Sequence, residues 1–193
     1  HSTKESDLAA PRRGFHDRIL ELWVPTQFAL LAWTIYSLIK RAPTQLELVG
    51  LSLSMGLLSG GVGITIAHEL MHRKGRMHRA LGEVLMTSVG YAHYCIEHIL
   101  GHHLYVGTHR DPVTARRGES IYAYIPRATF SGIPSAWRLE KKRCDRAGIS
   151  GLSLRDRRQR YLLTQSALFI SLYLAFGGLI TTFYLMQAST AVL

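Results

Sequence analysis

The sequence predicts an all-α fold, an integral-membrane helical bundle. Three stretches, residues 19–39, 46–67 and 162–186, are almost free of charge. Each is about as long as the roughly 20 residues that a helix needs to cross ~30 Å of hydrocarbon, and soluble core helices seldom stay apolar for so long. Five histidines form two short clusters next to these stretches. Desolvating several imidazoles near a bilayer is costly, so such residues usually have a function. We therefore expect the bundle to carry a histidine-rich metal site.

The first predicted span, Ile19–Ile39, follows a polar lead, residues 1–18, that we expect to be partly disordered. Its only charge is Glu21, near one end, and Trp33 suits the depth of the membrane interface. The loop 40–45 is short, so the next helix must run antiparallel to the first.

The second predicted span, residues 46–67, belongs to a helix that continues to His72. Glu47 is the only charge in the span. The basic run 73–79 suits both a helix C-terminus and the cytoplasmic interface. Several glycines supply either a surface for close helix packing or a flexible hinge. These are Gly56, Gly60, Gly61 and Gly63.

The apolar segment at residues 80–95 is too short for a full crossing, since 16 residues span about 24 Å of helix. A crossing would also place the two histidine clusters on opposite sides of the membrane. We therefore expect this segment to be re-entrant or interfacial.

The polar region 104–160 is strongly basic. Residues 110–160 hold 13 Lys and Arg against 5 Asp and Glu, a net charge of +8. In a soluble protein this would indicate a nucleic-acid surface. Beside membrane spans it indicates a cytoplasmic region, so we expect a lipid bilayer and no nucleic acid as partner. The third span, 162–186, follows.

The chain is expected to form a single membrane domain, residues 1–193, of a longer protein, because it begins with His1 rather than Met. Cys95 and Cys144 lack CxxC spacing and are expected to be ordinary thiols in a reducing compartment.

The histidine clusters have the spacing of metal ligands. His68 and His72 are four residues apart and share one helix face, as do His98 and His102. His103 points about 100° away from His102, so it would serve a second metal or approach from another side. Five imidazoles exceed the need of one tetrahedral site, which favours two metals. Interfacial histidines without a function are the alternative.

Residues 68–72 also satisfy HExxH, the zinc-peptidase signature, with Glu69 as the candidate base. The second cluster argues against an intramembrane zinc metallopeptidase, which needs only one further ligand. A haem protein would normally take its histidines from separate spans.

Taken together, four motifs resemble the integral-membrane alkane monooxygenases, relatives of the membrane fatty-acid desaturases and of xylene monooxygenase. The likeness covers roughly residues 46–143. The motifs are His68-Glu69-Leu70-Met71-His72, Glu97-His98-Ile99-Leu100-Gly101-His102-His103, Asp111-Pro112 and Arg117-Gly118-Glu119-Ser120.

The resemblance implies a multi-pass protein of the bacterial inner membrane with two iron ions on its cytoplasmic side. It implies hydroxylation of the terminal carbon of medium- or long-chain alkanes with O₂ and with electrons from rubredoxin and its reductase. The implied catalytic iron ligands are His68, His72, His98, His102 and His103. A desaturase, a xylene monooxygenase-like enzyme, the zinc peptidase and a non-catalytic membrane protein are alternatives. The family's third histidine motif does not occur before Leu193.

Further residues are expected to support the site. Glu69, Glu97 and Asp111 are candidate acceptors for the far nitrogens of the ligands, or ordinary interfacial carboxylates. His93 is expected to have a similar supporting or structural role. A basic face is expected to dock an acidic electron carrier such as rubredoxin, or lipid headgroups. Its residues are Arg138, Lys141, Lys142 and Arg143.

Overall fold

The computed structural model of the chain describes residues 13–193, so most of the polar lead, residues 1–12, lies outside the described residues. Within that range all regular structure is helical. The helices are α1 (Arg13–Arg41), α2 (Gln45–Leu58), α3 (Thr65–His72), α4 (Arg76–Ser88), α5 (Tyr94–Glu97), α6 (His103–Tyr105), α7 (Ile121–Arg146) and α8 (Arg157–Val192). Two π-helical turns, Ser59–Ile64 and His98–His102, join α2 to α3 and α5 to α6.

Three helical segments of the described chain are long and apolar enough to cross a membrane. They are Gly14–Arg41, Gln45–His72 and Arg157–Val192. The predicted all-α membrane bundle is therefore confirmed. The membrane boundaries of the single domain stay predictions, as does the interfacial or re-entrant placement of residues 80–95, which fold into α4 and α5.

The start of α2 explains why a charge precedes an apolar span. The Glu47 carboxylate accepts a hydrogen bond from the Thr44 amide at 2.8 Å, and the Glu47 amide donates to Thr44 Oγ1 at 3.3 Å. This reciprocal cap satisfies backbone N–H groups that the first helical turn leaves free. Glu47 thus lies in the first turn of the helix and outside its apolar part.

Helix α8 bends back on itself at Gly177, whose φ of 72° interrupts the helical geometry. Gln165 Nε2 donates to the Tyr184 hydroxyl across this break, at 2.5 Å. In a straight helix, 19 residues would separate the two by about 28 Å. The left-handed conformation favours glycine at the bend.

Close packing of α2 against the second arm of α8 depends on two glycines. A Cβ on Gly56 would lie 2.8 Å from the Gln187 carbonyl oxygen, and one on Gly60 would lie 2.5 Å from the Ala191 carbonyl oxygen. Gly63 packs in the same way against the side chain of Gln27. The packing interpretation of these glycines is confirmed. For Gly61 it is wrong, because that residue faces open space.

Ion pairs and hydrogen bonds connect the basic region to the helices of the candidate membrane spans. Glu140 of α7 is fully buried and accepts hydrogen bonds from the Arg143 guanidinium at 2.6 Å and from the Arg157 amide at 2.9 Å. Arg160 of α8 makes a bidentate pair with Glu83 of α4, at 2.7 and 3.0 Å. Because both acids are engaged by arginines, α8 is fixed against α7 and α4.

The glycine contacts lead to a stability prediction. Gly60→Ala is expected to destabilise the protein by about 1–3 kcal/mol, because the new Cβ would push against the α8 backbone. Gly61→Ala is the matched control in the same π-helical turn, and it is expected to be neutral or to stabilise by up to ~1 kcal/mol. Thermal unfolding in mild detergent measures both. Equal effects of the two substitutions would contradict the close packing.

Candidate metal centre

Two helical segments supply the histidines. His68 and His72 lie one turn apart on α3, at the end of the second candidate span. His98 and His102 begin and end the second π-helical turn, and His103 is the first residue of α6. A core of buried side chains, among them Leu70 and Ile96, packs these segments together.

Three imidazole nitrogens converge on one point. His68 Nε2 lies 2.8 Å from His98 Nε2, His72 Nε2 lies 3.2 Å from His98 Nε2, and the two α3 nitrogens are 3.3 Å apart. Nitrogens bound at ~2.0–2.1 Å to one ion lie about 3.0–3.4 Å from one another. The triangle therefore has nearly the dimensions of one face of a metal coordination shell.

His103 also reaches this triangle, where an α-helical register would turn it away. Its Nε2 lies 3.0 Å from His98 Nε2, and its ring centroid lies 4.9 Å from that of His72. The predicted helical geometry is wrong here, because the turn His98–His102 is π-helical. A π-helical turn closes at i+5 instead of i+4, which places His103 on the face of His98.

Hydrogen bonding alone cannot satisfy this arrangement. His98 Nε2 has three neighbouring Nε2 atoms, those of His68, His72 and His103, at 2.8–3.2 Å. One ring nitrogen has either a single proton or a single lone pair, so it can make only one N–H···N bond. The remaining contacts bring like groups together. A cation among the lone pairs satisfies the nitrogens at once, so these residues fit a bound metal ion.

The protonation state of the second cluster suits a metal. Burial, assisted by the neighbouring imidazoles, lowers the pKa of His98 to about 3. Burial and His72 also lower the pKa of His103. Both rings are neutral at pH 7, and a metal binds only neutral imidazole.

Asp111 orients His102. The buried carboxylate lies 2.8 Å from His102 Nδ1, which must donate because an ionised carboxylate only accepts. Burial alone would raise the pKa of Asp111, but hydrogen bonds from Thr114, the Val113 amide and His102 outweigh it and lower the pKa. Asp111 therefore stays ionised and holds the tautomer of His102 whose Nε2 is free to bind a metal.

A stack of four parallel rings leads to the histidines. Tyr91 stacks on Tyr94 with ring centroids 5.2 Å apart, Tyr94 on His98 at 4.9 Å, and His98 on His102 at 5.3 Å. The interplanar angles are 17–19°. Tyr94 thereby covers one face of the His98 ring, and Tyr91 packs behind Tyr94.

The other predicted supporting residues, Glu97, Glu69 and His93, differ in burial and in their contacts. Glu97 is buried and accepts a long hydrogen bond from Ser135 Oγ, at 3.4 Å. Burial raises the pKa of its carboxyl. Glu69 is exposed and, among the described residues, hydrogen-bonds to no histidine. The ring of His93 packs edge-on against Tyr91, and its Nε2 is buried without a partner in the described part of the chain. Their roles stay predictions.

Of the four predicted partner-binding residues, three have exposed side chains and one is hydrogen-bonded within the protein. Arg138, Lys141 and Lys142 are exposed on α7. The guanidinium of Arg143 is instead bound to Glu140 and to the Arg155 carbonyl oxygen. Arg143 therefore contributes to the structure of the α7–α8 junction, and binding by the other three stays a prediction.

An apolar cavity of about 710 Å³ lies beside the ring stack. It is bounded by α7, both arms of α8 and the turn after α4, with Phe130, Phe169 and Tyr91 among its lining residues. A smaller cavity of about 280 Å³ shares Tyr91 with it and reaches His102. The two cavities therefore adjoin at Tyr91, and the smaller one borders His102.

Thr114 was not among the predicted site residues, yet its hydroxyl donates to Asp111 Oδ2 at 2.5 Å. The motif Asp111-Pro112-Val113-Thr114 contains a signal for it. A threonine three residues after an aspartate that begins a turn is placed to donate to that carboxylate.

Comparisons with known proteins agree with the histidine motifs. Residues 44–193 match the fatty acid desaturase family. Alkane 1-monooxygenase 1 of Pseudomonas aeruginosa is 38% identical over 144 residues, which are 75% of this chain and 38% of that protein. Alkane 1-monooxygenase 2 of the same species is 33% identical over 176 residues, 90% of this chain and 47% of that protein. The xylene/toluene monooxygenase hydroxylase component XylM of Pseudomonas putida is 32% identical over 136 residues, 70% of this chain and 35% of that protein. The chain spans less than half the length of these relatives, and the predicted resemblance is confirmed.

The geometry predicts which histidines bind a metal. His98→Ala is expected to abolish stoichiometric Fe²⁺ or Co²⁺ binding, since His98 Nε2 belongs to every short nitrogen contact but one. His109→Ala is the control, because His109 is exposed on the following loop. Equilibrium dialysis with metal analysis gives the stoichiometry. Unchanged binding by the His98 variant would remove this residue from the site.

Asp111→Asn is expected to weaken metal binding about 10–100-fold, because the amide no longer fixes the tautomer of His102. Asp145→Asn removes an exposed carboxylate from the end of α7 and serves as the control. Competition with a chelator of known affinity measures the dissociation constants. If the two variants bind the metal equally well, Asp111 does not orient a ligand.

Proposed function

The chain belongs to the fatty acid desaturase family, and on this basis we propose that it is part of a membrane di-iron monooxygenase. The proposed reaction inserts one oxygen atom of O₂ into the terminal C–H bond of a medium- or long-chain alkane. Rubredoxin, reduced by its reductase, is the proposed electron donor. The proposed location is the bacterial inner membrane, with the metal site on the cytoplasmic side.

The observation that carries this proposal is the convergence of imidazoles from two separate segments at the end of a candidate span. His68, His72 and His98 would hold one ion through their Nε2 atoms. His103, whose Nε2 lies beside this triangle, and His102 would contribute to the binding of a second. A histidine-only donor set suits iron and other borderline metals, whereas carboxylate-rich sites suit Mg²⁺ or Ca²⁺.

Iron bound to these histidines would supply the O₂ activation, with electrons that arrive one at a time from outside. The remaining work belongs to the protein. Asp111 accepts a hydrogen bond from His102 Nδ1, which would leave His102 Nε2 free to bind the metal. The rings of Tyr91 and Tyr94 help to keep bulk water from the apolar side of the cluster.

The apolar cavity supports an aliphatic substrate. An alkane offers no polar group, so recognition depends on an apolar space of suitable length and width. The cavity volume of about 710 Å³ lies within the range of small-molecule sites. Tyr91 lies between this cavity and His102, where it would control how far a chain end advances.

The exposed basic residues of α7 support an acidic electron donor. Arg138, Lys141 and Lys142 lie on one helix that begins 15 residues after α6, the helix that carries His103. Complementary charge would speed the encounter with an acidic carrier and would orient it toward the histidines. The basic character of the region also supports its placement on the cytoplasmic side.

A second candidate is oxidation of an aromatic methyl group. It is supported by the 32% identity to the XylM hydroxylase component. The same apolar cavity would have to hold a flat ring instead of an extended chain. The two candidates therefore differ in the shape of the substrate and share the metal centre.

The test uses the complete gene product, purified in detergent, loaded with Fe²⁺ and supplied with reduced rubredoxin. We expect octane to become 1-octanol with one atom from ¹⁸O₂, because oxygen insertion takes the atom from O₂ and not from water. His72→Ala is expected to abolish turnover, whereas His109→Ala should leave it intact. Gas chromatography with mass spectrometry measures the product.

Other outcomes would each point to a different protein. One zinc and no iron per chain would support the peptidase. A desaturated acyl chain without ¹⁸O would indicate a desaturase. Oxidation of p-xylene but not octane would support the aromatic methyl candidate.

A further inference from the structure

The segment between α6 and α7, residues 106–120, has no regular secondary structure, yet it contains the carboxylate that orients His102. A segment without a helical hydrogen-bond ladder needs side-chain contacts to keep one conformation. Its position relative to the histidines therefore depends on whatever fastens it to the helices.

Arg127, on the second turn of α7, makes those contacts. Its guanidinium donates to the Pro112 carbonyl oxygen at 2.6 Å and to the Thr114 carbonyl oxygen at 3.0 Å. It also makes a two-point pair with the Glu119 carboxylate, at 2.6 and 2.7 Å. Hydrogen bonds from Arg127, with a smaller contribution from the Arg116 amide, lower the pKa of Glu119 to about 2. One side chain thus joins the middle of the segment to its C-terminal end.

These contacts lie directly beside Asp111. Pro112 is the next residue, and Thr114, whose carbonyl oxygen Arg127 binds, donates its hydroxyl to Asp111 Oδ2. The Val113 amide between them donates to Asp111 Oδ1 at 3.0 Å. A shift of the Pro112–Thr114 backbone would therefore move both groups of this segment that donate to the carboxylate, and would disturb its hydrogen bond with His102 Nδ1.

We propose that Arg127 is a positioning residue for the metal centre, which fixes the segment 106–120 so that Asp111 holds His102 in its metal-binding orientation. The planar guanidinium suits this role because it offers five donors in a fixed fork, enough for two carbonyl oxygens and a carboxylate at once. Lysine offers one flexible ammonium and cannot make the same set of bonds. The inference rests on the proposed function only in that the histidines bind a metal.

The test measures Co²⁺ binding to the metal-free complete protein in detergent. Arg127→Lys is expected to weaken binding on the order of 10-fold, the lower end of the effect of groups that support a ligand. It is also expected to change the visible absorption of bound Co²⁺, because His102 alters its geometry. Arg117→Lys is the matched control, because Arg117 lines an arginine-rich cavity together with Arg127 but makes none of these bonds. It should leave affinity and spectrum unchanged.

A double-mutant cycle separates positioning from general stability. If Arg127 acts through Asp111, adding Arg127→Lys to Asp111→Asn should weaken Co²⁺ binding no further, because the interaction is already lost. Losses that multiply, or an Arg127→Lys protein with the affinity and spectrum of the unmodified protein, would overturn the proposal. If Arg127→Lys does not fold, Glu119→Gln decides. This substitution leaves Arg127 in place but weakens its pair with residue 119. It should change the Co²⁺ affinity and the absorption spectrum in the same direction as Arg127→Lys. An unchanged affinity and spectrum would overturn the proposal.

The outcome is distinguishable from failure of the proposed function. A protein that hydroxylates octane and binds Co²⁺ independently of Arg127 would refute the positioning role alone. A protein whose metal binding depends on Arg127 but that oxidises no substrate would refute the proposed reaction alone.

Discussion

The convergence of neutral imidazole nitrogens from two distant segments is the constraint on which this structure depends. One pair of such nitrogens can approach to 2.8 Å through a hydrogen bond, but three cannot surround His98 Nε2 in this way, so packing must hold them together. The α3 segment supplies two of them through α-helical spacing, and the π-helical turn His98–His102 supplies His98 and directs His103 toward it. The core under both segments holds the geometry in place. Burial keeps His98 neutral. Binding of a cation requires the neutral ring, whereas a histidine that only makes hydrogen bonds at the surface does not have to be neutral.

The two helical geometries have different structural requirements. An α-helical turn needs no special residue, and α3 continues the apolar helix that precedes it. The π-helical turn is less favourable and is frequent at functional sites. Here it includes Gly101, where a Cβ would lie 2.5 Å from Glu97 Oε1. A larger residue would displace the buried Glu97 carboxylate, so the small residue lets the turn close over it.

The sequence was sufficient to predict the helical membrane bundle and the sharing of one site by both histidine clusters, because these follow from charge distribution and from spacing. It did not predict the π-helical turn, since α-helical periodicity assigns His103 to another face. Helix α7 begins at Ile121 and includes Pro126 and Pro134, although proline usually ends a helix. The bend of α8 at Gly177 and the pairing of Arg143 with Glu140 depend on tertiary contacts. Local sequence does not encode such contacts.

The location of the histidines at the end of α3 reconciles two opposite needs. The proposed alkane substrate would need an apolar approach, whereas His102, a proposed ligand, is oriented by an anionic partner that would be costly within hydrocarbon. At a helix end both are available from different sides. The segment 106–120 brings Asp111, with its compensating hydrogen bonds, from the polar side. The cavity and the Tyr91–Tyr94 stack approach from the apolar side. A site deeper in the bundle would lose the carboxylate, and one farther into the polar loops would lie away from the apolar cavity.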